Sequence, residues 1–346
     1  MESRPGRPDF PLARYSPKAS RMPSLDPSPD QLARFRRDLA ALGGSGGLGV
    51  AVSGGPDSLA LLLLAAAALP GEVEAATVDH GLRPASAVEA LHVEDICARI
   101  GCAHTILEAA VPDGPAGLQG EARGARYAAL AGWAGRRGLS RLATAHHADD
   151  QAETMLMRLR RGSGVAGLSG IRPVRAEGDL LILRPLLGWT KAELVHLVAT
   201  AGIEAADDPS NRDPRFDRAK VRRLLADHPQ FEPHRLARSA AACREADEAL
   251  AWSAAELAED RITSQGGEWR VDPSGLPREL RRRLLARAVA EVRAANGLEP
   301  AWTGGEDVEG LLAALEAGGT STLAGVVGRG GGPAWQLRAA PPRRSG

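Results

Sequence analysis

The sequence predicts an α/β protein: a doubly wound, mainly parallel five-stranded sheet, joined to a smaller and mainly helical C-terminal domain. Three observations carry this expectation. Short apolar runs alternate with longer helical patterns over roughly the first two thirds of the chain, which is the rhythm of βαβ units. A glycine pair directly follows the first apolar run, and ligands of such sheets gather at the carboxyl ends of the strands. The alternation then stops near residue 228, and the 346 residues are enough for two cores.

Residues 1–28 carry prolines and scattered charges but no apolar stretch, so they read as a disordered leader rather than a signal peptide. The catalytic domain is expected over 29–227. It opens with a helical pattern at 29–42 and a glycine-rich break at 43–47. Strand candidates are 48–52, 73–78, 104–107, 141–144 and 180–183, with helical patterns between them at 58–68, 85–100, 121–137 and 149–160. Each crossover is long enough for a right-handed βαβ unit. A helix at 191–201 follows the last strand. The C-terminal domain, expected over 228–340 as a tRNA-contacting module, offers helices at 232–258, 277–294 and 307–317. A hairpin of 321–327 and 334–337, turned by 328–332, would close it. Residues 341–346 read as a disordered tail.

Composition narrows the class less than the motifs do. Basic and acidic residues are equal at 43 each, so total charge neither demands nor excludes a nucleic acid. Only Lys18, Lys191 and Lys220 are lysines, so nearly all positive charge is arginine, whose planar fork suits phosphate. Genomic base composition explains that bias equally well. Cys97, Cys102 and Cys243 form neither a CxxC pair nor a zinc spacing, which implies a reduced, cytoplasmic protein. No run reaches the length of a membrane span, so no membrane partner is expected.

The most informative segment is 50–58. An apolar strand runs into Ser53, Gly54, Gly55, Pro56, Asp57 and Ser58, and then into an apolar helix. Glycines let backbone approach an anion, Pro56 is preset for a helix start, and the helix N-terminus offers free amides. The lysine of a Walker A loop is missing, which weakens a kinase or GTPase reading. The bland alternative is a strand-to-helix turn capped by Asp57 or Ser58. At the end of the second strand, 78–86 brings His80 to the same sheet edge, either as a ligand group or as a residue bonded to backbone. The segment 121–127 puts Arg123, Arg126 and Tyr127 on a helix, either as site residues or as a solvated charged face. After the fourth strand, Asp150 and Glu153 stand three residues apart on one helical face, where two carboxylates can select an ammonium. Arginines cluster at Arg158, Arg160 and Arg161, at 212–223 and at 278–287. They offer phosphate contacts, although Arg281, Arg282 and Arg283 fit a solvated face equally well.

The loop at 53–58 matches the PP-loop pyrophosphatases. Joined to the Asp-His-Gly-Leu-Arg run at 79–83, the His-His-Ala-Asp-Asp-Gln-Ala-Glu-Thr run at 146–154 and the Arg-Gly-Ser-Gly run at 161–164, it resembles the tRNA(Ile)-lysidine synthetases. Segments 182–187 and 207–211, followed by Arg218 and Arg222, are similar to that family's later motifs, so the likeness covers about 48–225. This chain has Ala219 where many members have an asparagine.

The resemblance implies that Ser53, Gly54, Gly55, Pro56, Asp57, Ser58 and His80 bind ATP, with Asp57 on Mg2+. It implies that Asp150 and Glu153 receive free L-lysine, with Arg126 and Arg222 in the same pocket, and that Asp57, Asp150 and Glu153 are catalytic. The implied reaction joins lysine to C2 of the wobble cytidine in the CAU anticodon of tRNA(Ile) through an adenylated cytidine, releasing AMP and pyrophosphate. Either Asp150 or Glu153 is able to take the amine proton, and a homodimer is compatible with the resemblance. Two other readings stand beside it. Another PP-loop enzyme, a thiolase or an amidotransferase, would need a cysteine pair or a nucleophilic cysteine domain, and the sequence shows neither. A non-catalytic nucleotide or tRNA binder would not need Asp57, Asp150 and Glu153 together.

Overall fold

A computed structural model describes residues 25–81, 84–112, 114, 117–206, 217–299, 302 and 308–341. Most of the expected leader, residues 1–24, and the tail from residue 342 onward lie outside them, as do Leu82, Arg83 and the motif at 207–211. The chain divides into two compact units. The first runs up to Met157 and resumes over Gly170–Arg238; the second takes Arg158–Ser169 and the described residues from Ser239 onward.

The first unit holds α1 (Pro29–Ala40), β1 (Leu48–Ala51), α2 (Pro56–Ala68), β2 (Val73–Asp79), α3 (Pro84–Arg99), β3 (Ala103–Glu108), α4 (Gly117–Arg136), β4 (Arg141–Ala143) and most of α5 (Ala148–Arg160). After the short α6 (Val165–Leu168), which belongs to the second unit, come β5 (Val174–Glu177), β6 (Leu180–Leu183), α7 (Lys191–Thr200) and α8 (Asp217–Asp227). The sheet order is β3-β2-β1-β4-β6-β5, with β1, β2, β3, β4 and β6 parallel. The chain winds outward from β1 to β3 and then returns to the other side of β1 at β4. The order therefore reverses between β1 and β4, and their carboxyl ends flank one crevice.

Helix α2 is apolar all round, and every residue from Ser58 to Ala65 is buried. It lies against β1, α1 and α7, with Leu59, Leu61, Leu62 and Leu64 fully enclosed. Each such leucine contributes roughly 1.5–3 kcal/mol of burial. Leu130, Trp133 and Ala134 of α4 form a second cluster with Ala76, Leu107 and Leu142 of the sheet. The start of α7 is fixed locally by a capping box in which Thr190 and Glu193 exchange side-chain and backbone bonds.

All five expected strands form. The structure adds a sixth, β5, antiparallel to β6 at the sheet's edge. Its Val-Arg-Ala-Glu sequence is mostly exposed, so no apolar run marked it.

The second unit contains α9 from Ser239 to the helix end (α9 spans Pro233–Arg261), β7 (Ile262–Gln265), β8 (Glu268–Val271), α10 (Arg278–Ala295), α11 (Glu309–Glu316), β9 (Thr320–Leu323), β10 (Val326–Arg329) and β11 (Trp335–Ala339). Beside its helices stands a five-stranded antiparallel sheet in the order β7-β8-β11-β10-β9. The single strand expected at 321–327 is corrected to two. Ala324 (φ 49°) and Gly325 (φ 78°) turn the chain inside it, and Gly328 lies within β10 rather than in the turn. Two consecutive positive φ values make the hairpin turn that matches strand twist. Gly266 and Gly267, at φ 61° and 81°, make the same turn between β7 and β8, a hairpin that was not among the expected elements although a glycine pair suits such a turn. Leu284, Leu285, Val289 and Val292 of α10 pack with Leu311, Leu312 and Leu315 of α11 over Val271, Val326 and Leu337.

Candidate active site

The crevice between β1 and β4 is built first by the loop after β1. Gly54 turns at φ 82°, where a side chain would be strained although the space around it is ordinary. Its carbonyl accepts from Ala206 N at 2.9 Å. The Ser58 hydroxyl accepts from Ser53 N at 3.1 Å and donates to Gly55 O at 2.9 Å; the Ser53 and Ser58 hydroxyls stand 3.2 Å apart. Pro56 opens α2, and no side chain caps that helix. Its first-turn amides are therefore left for an anion, which the helix dipole also favours.

The loop after β4 places the opposing groups. His147, 4% exposed, stands between three carboxylates. Its Nε2 is 3.4 Å from Asp57 Oδ2 and 3.5 Å from Asp150 Oδ2, and its Nδ1 is 3.5 Å from Asp149 Oδ2. Burial disfavours its charge, but the Asp149 and Asp57 carboxylates and the charge of Asp150 outweigh burial and raise it to about 10. It is an imidazolium that ties the phosphate loop to α5. Asp149 also accepts from Lys191 N at 2.8 Å, anchoring α7 to the same corner. Gln151 exchanges two bonds with the Ile171 backbone, at 2.9 and 2.6 Å, and so braces the first turn of α5.

Asp150 and Glu153 lie one turn apart on α5, and Glu153 is 2% exposed. Helix α8 delivers two arginines to them. Arg218 donates through Nε to Glu153 Oε2 at 2.5 Å and through Nη2 to Asp150 Oδ1 at 2.6 Å. Arg222 donates through Nε to Glu153 Oε1 at 2.8 Å and through Nη2 to Oε2 at 3.3 Å. The two carboxylates thus form a cation site bridged by one guanidinium, with a second guanidinium fixing Glu153. Mutual charge explains the arrangement, since a buried carboxylate without a cation costs several kcal/mol.

The structure brings Ser53, Gly54, Gly55, Pro56, Asp57 and Ser58 into one loop and joins Asp57 to Asp150 through His147. Arg222 reaches Glu153. His80 follows β2 and is held at 3.0 Å from Ala109 O through Nδ1. Arg126 makes no ion pair with Asp150 or Glu153 among the described residues; its guanidinium lies 5.5 Å from the Tyr127 ring centroid. His147, the hub of the site, was visible in the sequence only as one member of a His-His pair. The pairing of Arg218 with both acids depends on α8, which the sequence pattern did not mark as a separate helix.

The C-terminal arginines are engaged within their own unit. Arg278 pairs with Glu309 and Glu316, Arg281 with Glu316, Arg282 with Glu279 and Glu309, Arg283 with Asp247 and Glu279, and Arg287 with Glu291.

Among the described residues no group of three or more His, Cys, Asp or Glu side chains is arranged to hold a metal by itself. Asp57 Oδ1 is nevertheless buried without a hydrogen-bond partner, inside a loop shaped for phosphate. A magnesium ion fits that arrangement, because it is ordinarily held by one or two carboxylates together with substrate phosphates.

A family model described as a PP-loop domain matches residues 30–228. The chain is 47% identical over 317 residues to the tRNA(Ile)-lysidine synthase of Novosphingobium aromaticivorans, which covers 90% of this chain and 95% of that protein. It is 45% identical over 304 residues to the tRNA(Ile)-lysidine synthase of Zymomonas mobilis subsp. mobilis, 87% of this chain and 90% of that one. A third relative, the tRNA(Ile)-lysidine synthase of Bradyrhizobium sp. (strain BTAi1), is 41% identical over 93% of this chain and 98% of its own.

Proposed function

The chain belongs to the PP-loop family of tRNA(Ile)-lysidine synthases, and from that membership we propose how its own residues form lysidine from ATP, L-lysine and tRNA(Ile). The observation that carries the reading is the single corner in which His147 joins Asp57 of the phosphate loop to Asp150 of the acid pair. A site for ATP and a site for a cationic amine share one crevice.

In the first step the C2 carbonyl oxygen of the wobble cytidine, in the CAU anticodon, attacks the α-phosphate of ATP and pyrophosphate leaves. The first-turn amides of α2 and the hydroxyls of Ser53 and Ser58 hold the phosphates, and His147 fixes the Asp57 carboxylate. Asp57 would hold Mg2+ together with phosphate oxygens, and the ion would neutralise charge gathering on the pyrophosphate. His80 stands at the same sheet edge and closes the nucleotide side.

In the second step the lysine ε-amine attacks C2 and AMP leaves. Asp150 and Glu153 receive the ammonium in exchange for the Arg218 guanidinium, while Arg222 keeps Glu153 oriented. One of the two carboxylates takes the proton that the amine must lose. The exchange replaces one cation by another, so the pair is never left buried and bare. The reaction runs in the cytoplasm on free lysine. No helix among the described residues is long and apolar enough to cross a membrane.

Two substitutions separate the steps. Asp57→Ala abolishes ATP-dependent release of pyrophosphate in the presence of tRNA(Ile). Glu153→Ala impairs lysine use while leaving measurable adenylation. Equal loss of both steps in Glu153→Ala would refute this division.

A further inference from the structure

None of the groups used in the two steps above comes from α1, yet two of its side chains are tied to the site's support. Phe35 and Leu39 seat the helix in the core against α2. Arg34 and Asp38, four residues apart and so on one face, reach instead to residues 188–193, which end the turn after β6 and open α7. Arg34 donates through Nη2 to Gly188 O and through Nη1 to Glu193 Oε1, each at 2.7 Å, and its guanidinium lies 4.1 Å from the Trp189 ring centroid. Asp38 Oδ2 accepts from Trp189 Nε1 at 2.8 Å. Trp189 is 1% exposed, so its indole N–H has no water to turn to if that acceptor is removed. The same segment holds α5 with its backbone. Trp189 O accepts from Ala148 N, and Lys191 N donates to Asp149 Oδ2, both at 2.8 Å. Ala148 and Asp149 open α5 immediately after His147, and Asp149 Oδ2 stands 3.5 Å from His147 Nδ1. With Nδ1 turned to Asp149, His147 Nε2 faces Asp57 and Asp150. A continuous series of contacts thus runs from α1 through Trp189 to the imidazolium that joins the two halves of the site.

We propose that Asp38 and Arg34 are positioning residues for the reaction: they fix Trp189, whose backbone sets the first turn of α5 and with it the direction of the His147 ring. Packing alone does not require them. Phe35 and Leu39 already anchor α1, and a core that needed only bulk at position 189 would be served by an apolar side chain with no buried N–H to satisfy. The turn between β6 and α7 belongs to no helix or strand, so its place depends on what holds it from outside. Small shifts matter at such a hub, because a misplacement of about 1 Å in a catalytic group costs about a hundredfold in rate. The proposal rests on the reading that the crevice joins an ATP site to a lysine site, and it makes the joint between them depend on a helix that belongs to neither.

The test measures kcat and KM for ATP-dependent pyrophosphate release and for lysine incorporation into a tRNA(Ile) transcript, in wild type, Asp38→Ala, Asp38→Asn and Leu39→Ala, with a melting temperature for each. Asp38→Ala should lower kcat about tenfold in both steps, because His147 serves both. KM for ATP and for lysine should stay within about a factor of two, since the loop amides and the Glu153 carboxylate bound by Arg222 are held by other contacts. Asp38→Asn keeps an oxygen acceptor for the indole and should return kcat to within about threefold of wild type. Leu39→Ala takes packing from the same helix and should lower the melting temperature with kcat unchanged. Should Asp38→Ala fail to fold, Arg34→Met, which keeps the stem but loses the bonds to Gly188 and Glu193, is read in its place. Wild-type kcat in a folded Asp38→Ala overturns the proposal. So does a loss of kcat that Leu39→Ala reproduces at an equal fall in melting temperature, or one that Asp38→Asn does not recover. A rise in KM for one substrate alone assigns α1 to that substrate's site and also overturns it. In each of these outcomes the wild type still forms lysidine; a wild type that does not form it overturns the function reading and this proposal together.

Discussion

At the residue scale the acid pair defines what the site can hold. Arg218 spans Asp150 and Glu153, and in the proposed mechanism lysine and Arg218 compete for the same oxygens. Removing the guanidinium leaves two neighbouring carboxylates to repel each other until lysine arrives. Arg218→Ala is therefore expected to melt below wild type without lysine and to gain more than wild type when lysine is added. A lysine-induced gain no larger than that of wild type would contradict the exchange. His146 carries a separate prediction. Its folded value of about 3 lies below its ordinary 6.5, so protonation favours the unfolded chain. Its stabilising contribution is complete above pH 6.5 and is lost as pH falls from there toward 3. Denaturant titrations should show His146→Asn losing less stability than wild type between pH 6.5 and 4; parallel curves would remove His146 from the acid limb.

At the element scale the phosphate loop depends on one backbone conformation. Gly54→Ala forces a side chain into the left-handed region, at a cost of about 1–2 kcal/mol. The loop relaxes by moving the amides that hold ATP, so ATP KM should rise well above that of wild type while lysine KM changes little. Loss of stability without a change in ATP KM would mean that the loop tolerates the change. Elements with a strong local signal were legible in the sequence. The five parallel strands are apolar runs between helical patterns, and the loop at 53–58 stands where an apolar strand meets glycines. Edge strand β5 was not legible, because its Val-Arg-Ala-Glu is mostly solvated and its place comes from pairing with β6. The hairpin hidden in 321–327 turns on Ala324, a residue that rarely adopts a positive φ. The acid pair followed from helical spacing within α5. Its arginines did not: only the family resemblance set Arg222 beside it, because Arg218 and Arg222 lie 65 to 69 residues away and meet it only through the fold.

At the scale of the whole molecule, two cores share one chain of zero net charge. Charge is sorted locally. In the second unit Arg278, Arg281, Arg282, Arg283 and Arg287 of α10 are matched by carboxylates, while in the first unit Arg123, Arg126 and Arg184 are not matched by any among the described residues. ATP binds the unit that holds the phosphate loop and stabilises it by about 2.7 kcal/mol at a hundredfold excess over Kd. Leu312→Ala empties part of the other core at a cost of about 2–5 kcal/mol. Calorimetry should accordingly resolve an ATP-dependent transition that Leu312→Ala leaves in place and a second one that it lowers; a single transition moved by both would contradict independent cores.

The central claim is that one crevice joins an ATP site to a lysine site and serves the CAU anticodon of tRNA(Ile). Its most direct test is incorporation of radiolabelled lysine into a tRNA(Ile) transcript with that anticodon, with and without ATP, against a methionine tRNA as control. The account predicts labelling that requires ATP and is confined to the isoleucine transcript. Absence of labelling, with AMP still released when another RNA or a small acid is supplied, would contradict it.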